Sequence, residues 1–199
     1  MSINFSLLAM DQIVNNLCKL HYTSNGQVET PVIIRSVTGG DGHLGPTHSQ
    51  CLEYIYASIP GLKIAAPSTP YDALGLLRSA ADDPGPVMFL EHSSLYSFVG
   101  EVPDERYVVP FGKAIVRRTG ADVTVIAYLK MVHVALEAAE NINSELGKGT
   151  EVIDIRTLNP LDIETIIKSV QKTGRAVVVD EGWKTGGFAS EISTLIQEQ

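Results

Sequence analysis

What most constrains this chain is the order of its apolar segments. Short β-branched or apolar runs at 32–34, 62–66 and 87–90 alternate with helix patterns at 49–57 and 70–81. Strand, helix, strand, helix, strand with short links means parallel crossover units. The pattern dissolves from Ser97 to Pro110, a polar stretch with prolines, and then restarts. Strands at 123–127, 151–155 and 176–180 are followed by helices at 132–146, 162–172 and 187–199. The reading is α/β: two consecutive three-layer α/β/α parallel-sheet domains, 1–98 and 111–199, joined by a linker at 99–110.

Local signals support the boundaries. Ser68-Thr69-Pro70 supplies a hydroxyl cap and a first-turn proline for the helix that follows. Residues 7–20 carry Leu8, Ile13, Val14 and Leu17 at mixed three- and four-residue spacings, which predicts an amphipathic helix. A parallel sheet has both faces covered, and a helix at each terminus lacks its strand. Both domains are therefore expected to be incomplete.

The first strand empties into a loop, Gly39-Gly40-Asp41-Gly42-His43-Leu44-Gly45-Pro46-Thr47-His48-Ser49-Gln50. Open α/β sheets keep their ligands at the carboxyl ends of strands, and a histidine there titrates near neutral pH. His48 has that position, followed by Ser49 and Gln50, which are suited to holding its ring; spacing alone leaves its role open. The glycines match neither a Walker loop nor a dinucleotide fingerprint. No Asn pair follows Asp41 as a diphosphate–metal motif would need, so loop flexibility is the better account of Gly40-Asp41-Gly42. His21 and His133 fall on helices and read as structural or solvent-facing, and His43 as a solvated loop residue. His92, Glu91 and Glu181 lie at strand ends, where each suits a ligand or a charge partner equally well. Gly186-Gly187 suits either an anion at a helix start or a tight turn.

Composition narrows the class. A net charge of -8 with no basic stripe argues against nucleic acid. No apolar run reaches the roughly 18 residues that a membrane span needs, and residues 1–20 lack signal-peptide character. Cys18 and Cys51, two cysteines at wide spacing, read as reduced thiols, and the expected compartment is cytoplasmic.

Several segments together resemble the beta subunit of the thiamine diphosphate-dependent 2-oxo acid dehydrogenases, the pyruvate dehydrogenase type most of all. They are Asn4-Phe5-Ser6 on to Met10-Asp11-Gln12-Ile13, Thr47-His48-Ser49-Gln50, Ile59-Pro60-Gly61-Leu62-Lys63 to Thr69-Pro70, and Glu151-Val152-Ile153-Asp154-Ile155-Arg156-Thr157-Leu158. Lys172-Thr173-Gly174-Arg175 and Thr185-Gly186-Gly187-Phe188 extend the likeness nearly to the end.

The resemblance implies a transketolase-like pyrimidine-binding domain followed by a transketolase C-terminal-like domain. It implies a heterotetramer with an alpha subunit that holds the diphosphate and Mg²⁺, and a lipoyl acyltransferase core as further partner. His48 matches the catalytic histidine that assists acyl transfer to lipoyl, and Phe5 lies in the segment that approaches the cofactor pyrimidine. A structural K⁺ site of some members maps onto carbonyls of Val32, Ala80, Ala81, Asp83 and Gly85. The family's pyrimidine-contacting glutamate precedes residue 1, so the chain is expected to be truncated at both ends and inactive in isolation. Branched-chain and acetoin enzymes are rival substrate classes. A reading from another class is a catalytically incomplete assembly module.

Overall fold

The computed structural model describes residues 1–40 and 42–199. The expected amphipathic helix at 7–20 is instead three short helical pieces: a 3-10 helix at Ile3–Ala9, a π-helical turn at Gln12–Leu17 and α1 at Leu20–Thr23. The reason is which residues are buried. Leu8 is 91% exposed, while Ile3, Ile13 and Cys18 face the core. Ile13 and Cys18 are five residues apart, and the Cys18 N–H bonds to the Ile13 carbonyl at 3.0 Å, which puts both on one side.

The first sheet contains β1 (Ile33–Thr38), β2 (Lys63–Ala65) and β3 (Val87–His92), linked by α2 (Glu53–Ala57) and α3 (Pro70–Ala81). β3 lies parallel to and between β1 and β2, and its register sets Thr38 beside His92 at the carboxyl edge. The predicted cap is present: Thr69 Oγ1 accepts the Asp72 N–H at 3.2 Å, with Pro70 in the first turn. Segment 99–110 lies along α3. There Val109 and Tyr107 fill the space where a Cβ on Gly75 would stand, 2.4 and 2.9 Å away.

The second half contributes β4 (Ile115–Arg118), β5 (Val123–Ala127), α4 (Lys130–Leu146), β6 (Thr150–Asp154), β7 (Thr157–Asn159), α5 (Ile163–Thr173), β8 (Ala176–Val178) and α6 (Phe188–Gln197). Its sheet runs β4-β6-β5-β8, with β5 parallel to both β6 and β8. The chain thus folds as two α/β layers of parallel-dominated sheet. Two edge strands depart from the all-parallel expectation: β4 runs antiparallel to β6, and β7 crosses over to run antiparallel to β2 in the first sheet. At four and three residues they are too short to show alternation, and β4 ends in Arg117-Arg118, whose charges only tertiary partners explain.

One apolar core joins the halves, with Tyr56, Ile64 and Leu90 packed together with Ile126, Ile155, Ile166 and Ile192. Beside it lies a charged seam. Asp72 on α3 is fully buried and binds Arg156 Nη1 at 3.1 Å and also Arg117, which reaches on to Asp154 at 2.8 Å.

Candidate active site

β1 ends at Thr38, and Gly39 turns the chain at φ +105°. Only glycine suits this position, because a Cβ would stand 2.2 Å from His92 Nε2. The loop then folds on itself: Ser49 Oγ accepts the Leu44 N–H at 2.8 Å, and Gln50 Nε2 donates to the Pro46 carbonyl at 2.7 Å. Those bonds occupy the two side chains expected to hold the His48 ring. The helix expected from Ser49 begins only at Glu53, because Cys51 and Leu52 turn inward to seal the base of the loop.

His48 is therefore an exposed loop residue. Its Nδ1 lies 3.0 Å from Thr47 Oγ1. Its ring stands 5.0 Å from that of Phe5, tilted by 65°. The two side chains singled out from sequence, 43 positions apart by number, meet as an edge-to-face pair at the carboxyl end of β1. Asp41, weighed and set aside as a metal ligand, lies outside the described residues.

A buried polar layer sits under the loop, and sequence reading missed most of it. Glu53 is 2% exposed; it accepts from Thr38 Oγ1 at 2.8 Å, and Tyr128 Oη lies 3.1 Å away. The same phenol reaches Asp180 at 2.7 Å. One phenolic proton cannot serve two carboxylates, so a second proton is needed. Burial pushes the Glu53 carboxyl up to about 7, so Glu53 is the natural carrier of that proton near neutrality. Burial and the same two carboxylates hold the Tyr128 phenol well above its usual range. The only local hint of Glu53's burial is its spacing: it lies three residues before buried Tyr56, on one helical face.

His92 and Glu181, ambiguous in sequence, pair at 2.9 Å, and the other Glu181 oxygen accepts the Gly40 N–H at 2.9 Å. Glu91 pairs with a cation, Arg35, at 2.6 Å. Burial, with Glu53 and Glu181 nearby, pushes the Cys51 thiol up to about 12, so it is a packing residue. Of the other histidines, His133 holds the Ser68 carbonyl at 2.7 Å, exposed His21 meets the Val28 carbonyl at 3.0 Å, and His43 is exposed. At Gly186-Gly187 the tight turn is what forms: a Cβ on Gly187 would stand 2.0 Å from the Trp183 carbonyl. The first turn of α6 already has its anion, since Asp180 accepts the Ala189 N–H at 3.1 Å.

Of the residues expected to offer K⁺ carbonyls, Ala80, Ala81, Asp83 and Gly85 lie where α3 turns into β3, and Val32 lies beside the start of β3. The Val32 carbonyl accepts the Val87 N–H at 2.9 Å, the Ala80 carbonyl the Asp83 N–H at 3.4 Å, and the Asp83 carboxylate binds Lys63 Nζ at 2.5 Å. Ala81 and Gly85 flank the same turn. Among the described residues no helix is long and apolar enough to cross a membrane.

Comparison with known proteins gives this geometry a context. Residues 1–98 match the family model of the transketolase pyrimidine binding domain, and residues 112–199 that of the transketolase C-terminal domain. The chain is 47% identical over 191 residues to the pyruvate dehydrogenase E1 component subunit beta of Bacillus subtilis, covering 96% of this chain and 58% of that protein. It is 46% identical over 199 residues to the acetoin:2,6-dichlorophenolindophenol oxidoreductase subunit beta of Cupriavidus necator, covering 100% and 59%. The 2-oxoisovalerate dehydrogenase subunit beta of Bacillus subtilis is 45% identical over 196 residues, covering 98% and 60%. Among solved structures, a split gene transketolase described as an inactive beta4 tetramer superposes with TM-score 0.81 at 26% identity, covering 100% of this chain and 61% of that one. The chain thus spans about three-fifths of the length of the curated relatives it matches.

Proposed function

Since the chain belongs to the transketolase-like family across both of its halves, we propose that it acts as the beta subunit of the decarboxylating component of a 2-oxo acid dehydrogenase, contributing the pyrimidine side of a thiamine diphosphate site shared with an alpha subunit. The observation that carries this reading is the Phe5–His48 pair at the carboxyl end of β1. An aromatic face beside an imidazole fits a flat heteroaromatic ring next to a group that moves protons. Thiamine diphosphate, when bound, supplies the electron sink for loss of CO₂; the alpha subunit holds its diphosphate with Mg²⁺.

The chain's own residues have distinct tasks. Phe5 offers an apolar, half-buried wall. With Nδ1 of His48 engaged by Thr47, Nε2 is the ring nitrogen left to hold or deliver the proton during transfer of the acyl group to a lipoyl domain. Cys51 and Leu52 close the floor of the loop against water. Pyruvate is the leading substrate and the lipoyl acyltransferase core the further partner. Near-equal identity to branched-chain and acetoin relatives keeps those substrates as the second reading.

The test is assembly of the chain with its alpha subunit, thiamine diphosphate and Mg²⁺, assayed on pyruvate, 3-methyl-2-oxobutanoate and acetoin. Turnover on one of the three would support this reading, and His48→Ala should then slow lipoyl acylation ~100-fold or more while cofactor binding persists. Full-rate acylation by the variant would remove His48 from the mechanism. A stable complex inactive on all three substrates would favour a non-catalytic assembly module.

A further inference from the structure

The Glu181 carboxylate lies just past β8 in the second half of the chain, yet both of its oxygens serve the first half. One accepts the Gly40 N–H at 2.9 Å, and the other meets His92 Nε2 at 2.9 Å. His92 in turn fills the space against Gly39, where no Cβ fits. The two ends of the loop are side by side here, for a Cβ on Gly40 would stand 3.5 Å from the Ser49 carbonyl and 3.8 Å from Glu181 Oε1. His48 is the residue immediately before Ser49. A carboxylate that grips Gly40 therefore grips the base of the loop that presents His48 to Phe5.

We propose that Glu181 is a positioning residue: bridging Gly40 and His92, it fixes the base of the loop that carries residues 42–49, so that the second half of the chain sets the aim of His48 in the first. The inference rests on the functional reading above only for the role of His48. Charge-assisted bonds that a carboxylate accepts from a backbone N–H and an imidazole are among the stronger ones available. Both lie in a partly buried setting, with 19% of the Glu181 side-chain surface exposed.

Glu181→Gln is nearly isosteric but leaves one oxygen where two donors converge, so either Gly40 or His92 faces an amide N–H. Hydrogen exchange on the full chain is expected to show the amides of Gly40 and of residues 42–49 opening at least tenfold faster in the variant. Amides of β5 and β6 should be unchanged, and the Tm should move by no more than about 3 °C. In the complex with the alpha subunit, lipoyl acylation should fall about tenfold, while dye-coupled decarboxylation and the KM for the 2-oxo acid hold. Unchanged exchange at Gly40 and 42–49 in both Glu181→Gln and Glu181→Ala would overturn the inference, as would equal loss of both activities without loop opening. If the parent complex is itself inactive while the loop opens in the variant, the functional reading fails and the positioning role stands.

Discussion

Glu53 shows what burial does to a single side chain. Unfolded, its carboxyl gives up its proton near 4.5; folded, burial holds the proton to about 7. Between those values the native state binds more protons than the unfolded chain, so stability falls as pH rises through the window, by on the order of 3 kcal/mol. Glu53→Gln cannot ionise, so urea unfolding at pH 5 and pH 7.5 should show a pH dependence smaller by about that amount in the variant. An unchanged slope would show that another group in the Thr38–Tyr128–Asp180 cluster holds the proton. Nothing in Cys51-Leu52-Glu53-Tyr54 marks this carboxylate as buried, because its partners come from two other strand ends.

At the scale of elements, the turn out of β1 is decided by two positions that need each other. Gly39 adopts φ +105° and packs on His92, the last residue of β3. Gly39→Ala adds strain and a clash with a fully buried ring. The expected result is a loss of about 2 kcal/mol or more in chemical denaturation, with the damage centred on the loop. The long helices were legible because their caps and periodicity are local: Thr69-Pro70 before α3, Asp162 before α5 and Gly174 after it all act within one turn. The amino-terminal segment was not, since Leu8 completes an apparent core stripe but is left outside by the tertiary structure. Edge strands β4 and β7 escaped for a related reason. Each is defined by the strand it pairs with and not by its own pattern.

Across the whole molecule, the halves are tied by apolar core and by charge. Asp72 in the first half is the buried partner of Arg117 and Arg156 in the second. Removing one member of such a group leaves the others uncompensated, so Asp72→Ala should cost roughly 3–5 kcal/mol. Unfolding followed by probes in the two halves should then separate into two transitions; a single unshifted transition would show that the apolar core alone couples them.

The sequence by itself determined the alternation of strands and helices, the caps, and, through the resemblance carried by Thr47-His48-Ser49-Gln50 and Asn4-Phe5-Ser6, which side chains to watch. Tertiary structure alone decided that Phe5 and His48 face each other, that β7 joins the first sheet, and that Glu181 grips Gly40 across 141 positions of chain. Periodicity and capping are imposed by the backbone within a few residues and so are written locally. A buried carboxylate is stabilised by whichever donors the fold brings to it, and that encounter leaves no trace in the residues on either side.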